Sequence, residues 1–323
     1  MIKVLITGGA GFVGFHLANK LSRQENYEIT IVDNFARPNN DEAFADLISR
    51  KNVHHVNLDL ALESSFDALA KEYYDEIYHF AALNGTSNFY NFPAKVLRIG
   101  TFSTINLLEW VAQQKKRPSI IYTSSSEAYA GTAKILGKEF PIPTPEDIPL
   151  SVGDVSNVRW SYGASKLIGE IAFYSYRKSH NIDNFKIIRL HNIYGPRMGN
   201  EHVISQFIKR YLSNVRPFEI FGASNTRSFC HIDDVLDALE RVKTKGTNGE
   251  IYHIGNDDEE ISIENLAKLL FDINEEKYDF LVHDAPEGSV NRRCPNIDKI
   301  KDLGHGKKVS LRDGLKKLLG GIK

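Results

Sequence analysis

The sequence predicts an α/β chain: a doubly wound parallel sheet with a smaller, mixed α/β lobe that binds substrate. Three observations carry this. Short apolar runs alternate with helix-length patterns through the first 190 residues. The first run leads straight into a glycine-rich turn. After Gly195 the regularity fades into a mixture of short helical and strand-like segments.

The strand runs are Val4–Thr7, Glu28–Val32, Val53–Leu58, Ile77–Ala81, Ile120–Thr123 and Lys186–Leu190. Each is apolar or β-branched, as suits a strand buried on both faces. Helical patterns such as Val96–Gln113 and Ser161–Ser179 lie between them. Strand and helix in repetition imply a parallel sheet covered on both sides by right-handed crossovers. Further on, Val203–Leu212, Ile232–Val242 and Ile263–Phe271 read as helices, the last being the final helical region. Phe218–Phe221 and Ile251–Gly255 read as strands. Residues 131–157 are Pro-rich and irregular, too long for a simple connection, and read as a loop over the active site. The expected division is 1–190 for one domain, with 229–257 packing back onto it, and 191–323 mainly for the other.

Composition excludes several classes. Hydrophobic residues make up 42% and charged residues 25%, with a net charge of -1, which favours neither a nucleic-acid partner nor an anionic membrane. Cys230 and Cys294 have no metal-site spacing, so neither zinc nor a disulfide framework is expected. Two free thiols, no leader pattern and no apolar run near membrane-spanning length point to the cytoplasm.

The turn after the first strand reads Thr7-Gly8-Gly9-Ala10-Gly11-Phe12-Val13-Gly14. Gly8 permits a tight turn, Gly11 a close approach to a pyrophosphate, and Gly14 close helix–strand packing. The helix that follows offers unpaired N–H groups and the positive end of its dipole. Asp33 ends the second strand at the spacing expected of a carboxylate on an adenosine ribose, with Asn34 beside it. A Rossmann-type NAD site follows, NAD being preferred over NADP because Asp33 repels a 2′-phosphate. Arg37 lies near enough to soften that preference. Asp59 and Leu60, at the end of the third strand, are candidates for the adenine, with helix capping as the alternative for Asp59. Ala81 and Ala82, after the fourth, complete the cofactor set.

The fifth strand runs into Ser124-Ser125-Ser126-Glu127-Ala128-Tyr129, and Tyr162-Gly163-Ala164-Ser165-Lys166 follows. Residues four apart share one helix face. A lysine there lowers the pKa of the tyrosine phenol and holds a nicotinamide ribose. A tyrosine so activated takes the proton of a sugar hydroxyl as hydride leaves the same carbon, and a serine from the strand end hydrogen-bonds the reacting oxygen.

Together these segments resemble the extended short-chain dehydrogenase/reductase family, specifically its nucleotide-sugar epimerases, dehydratases and decarboxylases. The resemblance runs nearly end to end through Thr7–Gly14, Asp33, Phe80-Ala81-Ala82, the serine cluster, Tyr162 with Lys166, Arg189–Pro196, Arg227–Asp234 and Arg292–Pro295. It implies Ser125 as the catalytic Ser/Thr, Tyr162 as base and Lys166 as its partner. Ser126 stands where dTDP-glucose dehydratases have Asp, and GDP-mannose dehydratases and the decarboxylases have Ser. Glu127 matches a carboxylate found in 4,6-dehydratases and UDP-glucuronate decarboxylases and usually absent from 4-epimerases. Gly100 departs from the family, which often has Asn there. The resemblance implies that Asn192, Arg197, Arg227 and Arg292 contact the nucleotide-sugar substrate, that Val203–Tyr211 walls the base pocket, and that the helices 96–113 and 161–179 pair two chains into a homodimer.

The reading placed first is a 4,6-dehydratase, with Tyr162 taking the O4 proton and Glu127 the C5 proton before water leaves C6. A UDP-glucuronate decarboxylase comes second, a 4-epimerase third. A non-catalytic NAD-binding regulator is disfavoured because Ser125, Tyr162 and Lys166 are all retained.

Overall fold

Seven strands build the main sheet: β1 (Ile2–Thr7), β2 (Tyr27–Val32), β3 (Val53–Val56), β4 (Glu76–His79), β5 (Ser119–Ser125), β6 (Phe185–Leu190) and β7 (Ile251–Ile254). In this computed structural model, which describes residues 1–37, 40–69, 72–285 and 290–321, their order is β7-β6-β5-β4-β1-β2-β3. The pairs β1–β2, β1–β4, β2–β3 and β4–β5 are parallel. Strand order reverses beside β1, the switch point at which such sheets bind ligands beyond their strand C-termini. The apolar runs explain this arrangement. Leu5, Ile77, Ile120 and Ile187 are fully buried and pack with Trp110 and Phe173 into one core.

Three helices matter for the site: α1 (Phe12–Leu21), α2 (Pro93–Gln113) and α3 (Ser161–His180). α2 starts on a proline in its first turn, where no N–H partner is lost. α3 ends at Asn181, which takes the left-handed conformation of a C-cap.

The chain divides into two units. The first comprises Met1–Thr132, Pro149–Arg189 and Val242–Tyr252; the second comprises Ala133–Ile148, Leu190–Arg241 and His253–Lys323. The second unit has its own core, in which Phe207, Phe218, Phe271 and Leu315 are buried together. Its short strands Thr226–Ser228, Glu260–Ser262 and Arg292–Arg293 form one small sheet.

Two expectations about elements need correction. The stretch 131–157 is not wholly irregular, since Ala130–Leu136 is helical. Nor is 263–271 the last helix. Leu311–Gly320 follows it, capped by Ser310, whose side chain accepts from Asp313 N. Among the described residues no helix is long and apolar enough to cross a membrane, and no cluster of His, Cys, Asp and Glu could hold a metal. Both cysteines are free and buried.

Candidate active site

The glycine turn is built as its spacing demands. Gly8 has φ +68°, and a Cβ there would stand 2.8 Å from Ala81 N; one at Gly14 would stand 2.6 Å from Gly8 O. Gly11 N-caps α1 in an extended conformation without a side-chain cap bond. The first N–H groups of α1, from Phe12, Val13 and Gly14, are therefore of the kind left for a phosphate. Asp33 is oriented at the end of β2, accepting from Ala10 N at 3.0 Å and Phe35 N at 2.9 Å. Asn34 accepts from Ala36 N. Ala81 N donates to Thr7 Oγ1, and Ala82 packs against a cluster containing Phe89 and Tyr162. Asp59 accepts from Ala61 N, two residues on, and faces Arg98 at 3.6 Å. Leu60 is buried, its carbonyl accepting from Asn106. An uncapped helix start beside an oriented carboxylate fits the pyrophosphate and ribose of NAD.

Beyond β5, Ser125 caps a short 3₁₀ turn, Ser126–Tyr129, by accepting from Glu127 N. The same hydroxyl and the Glu127 carboxylate both bear on the Tyr162 phenol, so the structure brings Ser125, Glu127 and Tyr162 together. Ser126 is buried, at 3% exposure. Tyr162 stacks on Phe89, ring centroids 5.1 Å apart. Its phenol is pushed upward, first by burial and then by the Glu127 carboxylate; Ser125 and Arg37 act the other way. Lys166 is 2% exposed and donates to Thr123 O at 2.7 Å, with its ammonium 5.8 Å from the centre of the Tyr162 ring. Burial pulls it down to about 7 against the pull of Glu170. Burial outweighs any lowering of the phenol by this lysine. The physical reason is desolvation, which disfavours both charged forms.

Several neighbours of this site were not anticipated from sequence. Glu170, one turn beyond Lys166, accepts from Arg189 Nε at 2.9 Å and Nη2 at 2.8 Å and from Ser124 Oγ. All three residues are almost wholly buried. Breaking such a pair by removing one partner costs about 3–5 kcal/mol, so it anchors the floor of the site. Gly100, where Asn was expected, leaves room that Ser165 occupies; a Cβ there would collide with Ser165 Oγ. Most consequential is Arg159, whose Nη2 lies 3.4 Å from Glu127 Oε2, both side chains being 17% exposed.

In the second unit a cavity of ≈ 260 Å³ is lined by Asn192, Tyr194, His202, Val203, Phe221 and Arg227, among others. Asn192 sits at φ +44° and donates to Ser228 O at 3.0 Å. Arg227 is fixed by its contact with Thr226 O at 2.7 Å. Two residues expected beside them are not among the residues lining this cavity. Arg197 lines a different, more apolar cavity with Met198, Ile208 and Leu212. Arg292 lies outside both sets of lining residues. Its guanidinium is forked onto Glu260, with both contacts at 2.8 Å, because the small sheet sets the two strands against Thr226–Ser228 from opposite sides.

Similarity to known proteins agrees with this geometry. A UDP-glucuronic acid decarboxylase of Arabidopsis thaliana is 31% identical over 97% of this chain and 87% of its own length. A putative UDP-glucose 4-epimerase of Methanocaldococcus jannaschii is 30% identical over 99% of this chain and 98% of its own. The crystal structure of UDP-glucuronic acid 4-epimerase from Bacillus cereus, in complex with UDP-glucuronic acid and NAD, superposes with a TM-score of 0.85 at 25% identity, covering 99% of each chain. Residues 4–255 match the model of one family throughout, and with that match and these relatives the chain belongs to the NAD dependent epimerase/dehydratase family, a group of extended short-chain dehydrogenases/reductases.

Proposed function

We propose that the chain binds NAD and a UDP-uronate, oxidises the sugar at C4, and uses the 4-ketone to release C6 as carbon dioxide. The observation that carries this reading is the Glu127 carboxylate, ion-paired beside Ser125 and Tyr162. Exchange of configuration at C4 needs only a hydroxyl donor and a base at O4, whereas a carboxylate in the same site points to chemistry at C5. Arg159 balances that anion, so a sugar that is itself negatively charged at C6 does not face an uncompensated carboxylate. Two of the similar proteins bear the name of UDP-glucuronic acid or are crystallised with it; this supports the choice of substrate class.

Bound NAD supplies a reversible hydride acceptor for C4. Tyr162 Oη takes the O4 proton and Ser125 Oγ donates to O4. With C4 a ketone, the C6 carboxylate is β to a carbonyl. Its C5–C6 bond breaks, the electron pair passes to O4, and the Tyr162 and Ser125 hydroxyls stabilise the enolate. Glu127, once protonated from solvent, gives that proton to C5, which restores the 4-ketone, and Tyr162 returns its proton to O4 as C4 is reduced again. The glycine turn and Asp33 hold the dinucleotide, and Asn192 and Arg227 are assigned to the nucleotide diphosphate. Incubation with UDP-glucuronate labelled at C6 is the test: labelled carbon dioxide is expected, and its retention in a sugar nucleotide contradicts the reading. The second reading, a 4,6-dehydratase on a neutral hexose, is favoured by Glu127 as a ready-made base for C5.

We also propose that the protein is a homodimer. α2 and α3 leave Leu97, Phe102, Ile171 and Tyr174 substantially exposed, an apolar surface of the kind a partner covers. Light scattering should give twice the 36.5 kDa of one chain, and Phe102→Asp with Ile171→Asp should return it to one. A wild-type monomer at micromolar concentration contradicts this.

A further inference from the structure

Glu127 poses an electrostatic difficulty. A carboxylate beside Tyr162 opposes ionisation of the phenol, and burial already opposes it. The structure contains a device that answers this. Asn157 caps the short turn Val158–Trp160, accepting from Arg159 N at 3.0 Å. That turn runs directly into α3, so Arg159 and Tyr162 are three residues apart on one rigid corner. Arg159 spreads its guanidinium over the Trp160 ring, 4.9 Å from the ring centre. The Trp160 ring is in turn backed by the loop at Gly153, where a Cβ would come within 2.7 Å of it. From the other side, Gly163 lets the backbone of Glu127 approach α3; a Cβ there would stand 2.6 Å from Glu127 O. Both halves of the Arg159–Glu127 pair are therefore held by packing, and both are largely withdrawn from water. In such a setting an ion pair is screened far less than at a surface.

We propose that Arg159 is a positioning residue that fixes and neutralises the Glu127 carboxylate, so that a carboxylate and a tyrosine base can work in the same site. This rests on the reading of Tyr162 as the base at O4. The charged and titratable groups that bear on Tyr162 are Glu127, Arg37, Lys166 and Tyr122, together with the Ser125 hydroxyl. With Arg159 gone, the uncompensated anion raises the phenol further. With Glu127 gone as well, the opposing charge disappears.

The sign of the effect gives the test. In Arg159→Gln the tyrosinate absorbance that Tyr162→Phe removes should titrate on the order of one pH unit higher than in wild type. In the same variant, reduction of bound nicotinamide on mixing with sugar nucleotide should be slowed by about tenfold per unit at pH 7. Arg159→Lys, which keeps the charge, should restore most of both. The double variant Arg159→Gln with Glu127→Gln should reduce nicotinamide faster than Arg159→Gln alone. A merely structural arginine predicts the reverse, with the second substitution adding to the damage. An unchanged Tyr162 titration in a folded Arg159→Gln protein, or a double variant slower than the single, overturns the proposal. If wild type reduces nicotinamide with no sugar nucleotide at all, the functional reading falls, while the Tyr162 titration still decides the role of Arg159.

Discussion

Tyr162→Phe is expected to abolish turnover while the chain stays folded and binds NAD. The ring loses none of its packing: it remains stacked on Phe89 within the cluster that holds Val96 and Ile99. The variant loses one phenol oxygen near Ser125 and no packing surface, so the fold should hold. NAD binding is assigned to the glycine turn, Asp33 and Lys166, none of which depends on that oxygen. Loss of the only base assigned to O4 should cost about 10²–10⁴-fold or more in rate. The check is single-turnover reduction of bound nicotinamide beside an NAD titration. Near-wild-type reduction would show that another group takes the O4 proton.

Glu127→Gln has the second large effect, and it separates the two readings of the site. The amide is isosteric, so folding and substrate binding should persist, although Arg159 loses its ionic partner. Oxidation at C4 needs Tyr162 and should proceed. Under decarboxylation the ketone then loses carbon dioxide without any base at C5, and the variant should release at most one equivalent quickly. It should then stall with reduced nicotinamide bound, because proton delivery to C5 has lost its carboxylate. Steady turnover should fall by about 10²-fold. Under dehydration the variant stalls earlier, with no bond to C6 broken. Rapid quench with carbon dioxide trapping distinguishes the two, and full turnover would make Glu127 a bystander.

Much of the sheet is legible in the sequence because most of its strands are short apolar or β-branched runs between helix-length patterns. Ile2–Thr7, Tyr27–Val32 and Phe185–Leu190 differ from the sequence-based ranges only at their ends. The helix 130–136 is hidden because its seven residues, Ala-Gly-Thr-Ala-Lys-Ile-Leu, carry no apolar stripe. The C-terminal helix is a different case. Leu311, Leu315, Leu318 and Leu319 are buried at helical spacing behind a Ser310 cap, a signal the sequence carries in full.

At the site, motif spacing finds residues that act through their own element and misses those that act across elements. Gly8, Gly14, Asp33, Tyr162 and Lys166 belong to local patterns. Glu170 also does, four residues beyond Lys166 on the same face, and extending the Tyr162–Lys166 step by one turn would have found it. Arg292 and Arg159 show the limit. Each is an arginine whose role depends on an acid about 32 residues away in the chain, Glu260 and Glu127 respectively. One pairing ties a guanidinium to an acid of its own small sheet; the other adds a charged residue to the site. Nothing in spacing distinguishes them, because the small sheet in one case and the capped turn before α3 in the other arise only on folding.

Whether a 4-ketone is used to expel C6 from a uronate is read from product mass. Wild-type protein with NAD is incubated with UDP-glucuronate and, separately, with neutral UDP-, GDP- and dTDP-hexoses. UDP-glucuronate is expected to lose carbon dioxide, and the neutral sugars to keep their mass. Loss of water from a neutral hexose, with UDP-glucuronate left at its original mass, would contradict that expectation.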